Sequence, residues 1–141
     1  MGRRKYGLLT ERQYLVLKLR LQGYTQEEIA KMLNTTRENV SIIERRAREN
    51  IRLAEETLNA YKELLAAGEV VIRPGTHLVE VPKIVISKAD ELGIKLRANF
   101  TRLYDEIRYC AGNCIRGTKV EKPIKILIFK DGTFDVIPIK P

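Results

Sequence analysis

Two cysteines and a single histidine stand among 141 residues, and little reactive chemistry can be built from them. Two thiols are too few for a disulfide framework and fit a reducing compartment. His77 has no serine near it, and the chain carries no glycine-rich phosphate loop. No nucleophile and base pair is therefore recognisable, an enzyme is not expected, and no cofactor is implied. Long hydrophobic runs are missing too: none exceeds the four residues of Tyr14 to Leu17 or Ile126 to Phe129. A membrane span needs about 20. Met1-Gly2-Arg3-Arg4-Lys5 has the basic start of a secretory signal, but Arg12, Lys18 and Arg20 interrupt the apolar stretch that should follow. The expected location is the cytoplasm. Repeats and low-complexity tracts are also lacking.

What is present suits a folded protein of one domain or two small ones, with 44% hydrophobic and 31% charged residues. The net charge is +8 and unevenly spread: residues 1–48 hold 11 basic and 5 acidic side chains, and residues 49–65 hold 2 and 4. A basic N-terminal third favours a polyanionic partner.

That third reads as closely spaced helices. Thr10-Glu11-Arg12-Gln13 matches a capping box, with Leu9 and Tyr14 as a hydrophobic staple, and Gly23 is suited to end the helix. Thr25-Gln26-Glu27-Glu28 repeats the device before Ile29, Ala30 and Leu33, and this helix ends at Asn34. Thr35-Thr36-Arg37-Glu38 reads as a third box before Val40, Ile43 and Ala47. The helical spacing then continues through Ile51, Ala54, Leu58, Tyr61 and Leu65, so one helix is expected from Thr36 to Ala67. A rod of roughly 48 Å cannot bury its apolar edge alone. The edge, Ala47, Ile51, Ala54, Leu58, Tyr61 and Leu65, either pairs two copies of the chain or packs on the chain's own C-terminal half.

Beyond Gly68 the pattern is mixed. Val70 to Ile72 and Leu78 to Val81 around Pro74-Gly75-Thr76 predict a hairpin. Helical spacing follows from Pro82 to Gly93 and from Phe100 to Ala111. Ile124 to Lys130 and Thr133 to Ile139 around Asp131-Gly132 predict a second hairpin, giving two helices on a sheet of about four strands. The fold class expected is α+β. An all-helical helix-turn-helix with a long third helix (residues 1–50, with residues 51–68 connecting) precedes a small mixed α/β domain with hairpins (69–141) that oligomerises or senses.

A helix-turn-helix needs a small residue where its helices cross, a residue tolerant of left-handed dihedrals in the turn, and a shared apolar core. Ala30, Asn34, and Ile29, Leu33, Val40 and Ile43 meet these needs in turn. Thr36-Arg37-Glu38-Asn39-Val40-Ser41-Ile42-Ile43-Glu44-Arg45-Arg46-Ala47 resembles the recognition helix of bacterial sigma-factor region 4. Leu8 to Gln13, Gly23 to Ala30, Pro82 to Val85 and Lys88 to Glu91 resemble the archaeal Tfx family of transcriptional regulators.

That resemblance implies sequence-specific binding of double-stranded DNA, with Arg37, Glu38, Ser41 and Ile42 facing bases. Arg37 can form a bidentate pair with guanine, and Glu38 can accept from cytosine or close the capping box instead. Ile42 replaces the glutamine of the sigma motif, which points to a thymine methyl. Asn39 is in reach of a base or a phosphate. Phosphate contacts are expected from Arg45, Arg46 and Arg48, from Thr25, Gln26 and Thr36 at helix starts, and from the arm Arg3, Arg4 and Lys5.

Cys110 and Cys114 share a helix end and could hold a metal with His77, but Cys110 also falls on a predicted core face with Leu103, Ile107 and Ala111. The rival function is a metal- or ligand-sensing protein whose helix-turn-helix contacts another protein.

Overall fold

The structure, a computed structural model, describes residues 5–139. The chain forms two compact units, Met1–Leu58 and Asn59–Pro141, and the division falls inside a helix.

The first unit holds α1 (Glu11–Leu21), α2 (Gln26–Met32) and most of α3 (Arg37–Leu65). Two predicted capping boxes are formed as such: Thr10 with Gln13 and Thr25 with Glu28 exchange hydrogen bonds of 3.0–3.1 Å. The third begins one residue later than expected. Thr36 Oγ1 accepts from the Asn39 N–H at 3.1 Å, and Asn39 Nδ2 reaches back to Thr35 Oγ1 at 3.0 Å. Asn39 thus serves both threonines, and Glu38 takes no part in the cap. Gly23 (φ 99°) and Asn34 (φ 56°) occupy left-handed positions after α1 and α2. Each lets the next N–H reach back five residues, Tyr24 to the Leu19 carbonyl and Thr35 to the Ala30 carbonyl. The helices close on Val16, Ile29, Ala30 and Val40, with Leu19, Tyr24, Leu33 and Ile43 around them.

The second unit contains the last turns of α3, then β1 (Gly68–Ile72), α4 (Val81–Glu91), α5 (Phe100–Cys110), β2 (Ile115–Arg116), β3 (Lys119–Val120), β4 (Ile124–Ile128) and β5 (Phe134–Pro138). The main sheet is antiparallel with order β1-β4-β5, and β2 and β3 form a separate ribbon. The expected four-stranded sheet is therefore three strands and a ribbon. The first predicted hairpin does not form: β1 pairs with the distant β4, and Leu78–Glu80 is a turn of 3-10 helix running into α4. Leu78, Val81 and Val85 are all buried, at a helical rather than alternating interval. The second hairpin does form, with Ile128 opposite Phe134. Its Gly132 (φ 88°) donates to the Phe129 carbonyl at 3.0 Å and accepts from the Arg97 N–H at 2.9 Å.

Alternate residues of the sheet, Ile72, Ile124, Ile126, Ile128 and Val136, join Val85, Leu103 and Ile107 of the helices in one core. On the opposite sheet face Leu127 is fully buried. There the last turns of α3 are tied down by Lys62 to Asp135 (2.7 Å) and Glu63 to Lys125 (2.8 Å).

Candidate nucleic-acid interface

Successive residues of a helix turn by about 100°, so the burial of Val40, Glu44 and Ala47 fixes the orientation of α3 in its unit. Glu38, Ile42, Arg45 and Glu49 then form the line farthest from the core. Arg37, Ser41, Arg48 and Arg52 flank it on one side, with Asn39 and Arg46 on the other. All of these are exposed, Ile42 to 38%. The ion pairs of this unit among the described residues are Arg20–Glu44, Arg48–Glu44, Arg52–Glu49 and Arg52–Glu56. Arg37, Arg45 and Arg46, all exposed, stand outside them.

Glu44 is the polar centre of the unit. It is 7% exposed on a helix position where an apolar residue fits the spacing, and its carboxylate is fully engaged. Gln26 Nε2 donates to Oε1 at 3.0 Å, while Arg48 Nε and Nη2 donate to Oε2 at 2.9 and 2.8 Å. Arg20 Nε lies 3.0 Å from Oε1, but its N–H points off the line, leaving a charge contact rather than a hydrogen bond. Burial alone would raise the Glu44 pKa. The hydrogen bonds from Gln26 and Arg48 and the charges of Arg20 and Arg48 outweigh burial and hold it below the ordinary carboxylate value.

These bonds change the picture of two expected phosphate ligands. The Gln26 amide is turned inward, leaving its backbone N–H at the start of α2, and one edge of Arg48 is occupied. The hydroxyls of Thr25 and Thr36 act as caps.

Buried Gln13 forms a second polar tie. Its Oε1 accepts from the Thr10 N–H and from Asn50 Nδ2, which also donates to the Leu8 carbonyl, pinning α3 to the segment before α1. Tyr6 stacks on Tyr14 at 3.8 Å and anchors the same segment, at whose start Lys5 is exposed. Arg3 and Arg4 lie outside the described residues.

The cysteine expectation needs correcting. Cys110 is exposed and Cys114 buried, because the core stripe of α5 runs through Leu103, Ile107 and Ala111 and leaves Cys110 on its flank. Burial, Glu106 and Asp135 together raise the Cys110 thiol pKa, opposite to what a reactive thiolate needs. Among the described residues no three His, Cys, Asp or Glu side chains gather as ligands, so His77, Cys110 and Cys114 form no common set. The apolar stripe of α3 also changes: Ala47 is sealed in the first unit's core and Ala54 is half-buried. Leu58, Tyr61 and Leu65 are each more than half exposed, and Ile51 is 37% exposed.

Comparison with known proteins follows the same division. The family model of the C-terminal part of the DNA-binding protein TFX matches residues 54–136, more than half of the chain. The chain belongs to the Tfx family. The model of sigma-70 region 4 matches residues 7–53, which cover the three-helix unit. A Methanocaldococcus jannaschii protein, described as a candidate transcriptional regulator, is 47% identical over 130 residues, covering 92% of this chain and 95% of its own. The DNA-binding protein Tfx of Methanothermobacter thermautotrophicus is 37% identical over 128 residues, covering 91% and 93%.

Within this Tfx-family chain, sequence reasoning missed two things. Arg45, expected on phosphates, shares the outermost line of α3 with Glu38 and Ile42, as counting turns from Val40 would have indicated. The inward role of Glu44 was signalled only by a charged residue interrupting an apolar stripe.

Proposed function

We propose that the chain reads double-stranded DNA through the major groove with the first three turns of α3. Family membership makes it a DNA-binding transcriptional regulator; the groove, the residues and the assembly are the reading offered here. Its main support is the exposed face of α3, where Glu38, Ile42 and Arg45 lie farthest from the core, Arg37 and Ser41 flank them, and neither arginine joins an ion pair among the described residues. Arg37 suits guanine O6 and N7, Glu38, free of the cap, suits cytosine N4, and Ile42 suits a thymine methyl. Asn39, whose amide is held by Thr35, lies toward one groove wall beside Arg46. Arg46, Arg48, Lys5 and the backbone at Thr25, Gln26 and Thr36 suit phosphates, as do Arg3 and Arg4 in the N-terminal arm. Such a protein works where the chromosome is, in the cytoplasm.

The C-terminal part of α3, with the exposed Leu58, Tyr61 and Leu65, and the second unit that follows it serve to pair two copies, so that two recognition helices meet successive major grooves about 34–36 Å apart. The rival sensing reading is not favoured, since the metal ligands it needs are apart and the family is one of DNA-binding proteins.

Selection from a randomised duplex pool tests the proposal. The protein should recover one motif, as an inverted repeat, and hold it against competitor DNA. Its log affinity should fall linearly with log salt, by about 0.9 per neutralised phosphate. Recovery of no motif would overturn sequence-specific reading.

A further inference from the structure

Glu44 presents a problem of sign. A carboxylate beside a surface that takes up phosphates should weaken binding, and this one lies in a groove lined by Ser41, Arg45, Arg48, Glu49 and Arg52 of α3 and by Gln26 of α2, in which Glu49 is already paired with Arg52. We propose that Glu44 is a positioning residue for DNA binding, which fixes the Arg48 guanidinium so that its free edge is presented to a backbone phosphate. The inference rests on the DNA reading above.

The geometry of Arg48 carries it. A guanidinium is planar and offers two forked edges. Here the edge made of Nε and Nη2 is bound to Glu44 Oε2 at 2.9 and 2.8 Å. The other edge, Nη1 with the second Nη2 hydrogen, remains, and the side chain is 60% exposed. A phosphate can take that edge with two parallel hydrogen bonds. An unrestrained arginine must give up the rotamer freedom of a long side chain on binding; one already clamped to a buried carboxylate has given it up on folding. Glu44 is in turn held from α2 by Gln26 and from α1 by Arg20, so the direction of Arg48 is tied to all three helices. A structural ion pair would need only the charges. Positioning needs the fork.

Two substitutions in the full-length chain separate these roles, measured by fluorescence anisotropy on the selected duplex and on a shuffled one across a salt titration. Arg48→Lys keeps the cation but cannot make the fork. It should lose about tenfold affinity on both duplexes, nearly as much as Arg48→Ala. Glu44→Gln keeps the shape and raises the net charge by one. It should nevertheless bind about tenfold more weakly, with a salt slope shallower by about 0.9.

Arg48→Lys binding like wild type, or Glu44→Gln binding as tightly or more tightly, would overturn the proposal. Should Glu44→Gln fail to fold by circular dichroism, Arg48→Lys decides alone, since Arg48 is largely exposed. If the wild-type chain binds duplexes with the expected salt slope and the variants match it, only this inference falls. If the wild type binds no duplex, the DNA reading falls first.

Discussion

Arg37 and Arg46 are both exposed and outside the unit's ion pairs, yet their removal should have different consequences. Nine residues apart, they project from nearly opposite sides of α3. Arg37, in the first turn, points toward bases in the proposed groove, whereas Arg46 lies along the far flank, toward a phosphate wall. Neither should matter to folding. A cation in the first helical turn opposes the helix dipole, so Arg37→Ala should leave stability unchanged or raise it by about 0.3 kcal/mol.

In binding, loss of a bidentate arginine–guanine contact costs about 1–3 kcal/mol, or roughly 5- to 150-fold on the selected site. On a shuffled duplex Arg37→Ala should lose only the small effect of one charge. Arg46→Ala should weaken selected and shuffled duplexes by the same factor and flatten the salt slope by about 0.9. Competition anisotropy at about 0.15 M salt measures both ratios, because surface charge effects are then neither exaggerated nor fully screened. Equal losses on both duplexes for Arg37→Ala, or a selective loss for Arg46→Ala, would refute the assignment of groove and wall.

Three further outcomes are expected. Gly132→Ala places a methyl carbon 2.5 Å from the Lys95 carbonyl oxygen at a φ of 88°, and should destabilise the second unit by about 1–3 kcal/mol in a urea titration; an unchanged midpoint would contradict the hairpin geometry. Leu58→Glu combined with Tyr61→Glu should turn a dimer into a monomer in sedimentation; a wild type that is already monomeric at high concentration would remove the pairing surface. Since the folded-state pKa of Glu44 is depressed, its contribution to stability is present above the unfolded value of about 4.3 and is lost as pH falls through the folded value. The first unit of Glu44→Gln should therefore have a flatter stability profile below pH about 4.3 than wild type, and equal slopes would count against the ion cluster.

The helices of the first unit are legible because local chemistry dictates them: each starts at a threonine whose hydroxyl satisfies an orphan amide, and each turn uses Gly23 or Asn34 where a left-handed residue is required. The slip of one residue at α3 lies in which of two adjacent threonines caps it: the Asn39 backbone N–H donates to Thr36, while Thr35 accepts only from the Asn39 side chain. The failed hairpin at 70–81 has a different origin. Strand pairing between β1 and β4 spans more than fifty residues, and nothing local in Val70 to Ile72 names that partner. The Asp131-Gly132 hairpin was legible because its turn is local. The base-facing candidates came from the resemblance to the sigma-type helix, and the phase that Val40 and Ala47 give α3 leaves those side chains exposed. The role of Glu44 was not legible: a charged residue becomes buried only when Gln26, Arg20 and Arg48 converge from three helices, and that convergence is tertiary.

Composition therefore overstates what is offered to DNA. The first 48 residues carry 11 basic side chains, but Arg20 faces a buried carboxylate and Arg48 has only one edge left free of it. What distinguishes the face of α3 is the arrangement: Arg37 and Arg45, outside the ion pairs of the described residues, beside exposed Glu38 and Ile42, which between them carry a donor, an acceptor and an apolar surface. A purely basic helix would bind any duplex by charge. One that places a carboxylate and an isoleucine at its outermost positions makes part of its interaction depend on which base edge it meets, because Glu38 repels phosphate and is stabilised only where a donor such as cytosine N4 lies opposite. Glu38→Gln, which removes that repulsion, should raise affinity for shuffled duplexes more than for the selected one; a uniform gain would mean that Glu38 faces solvent rather than a base.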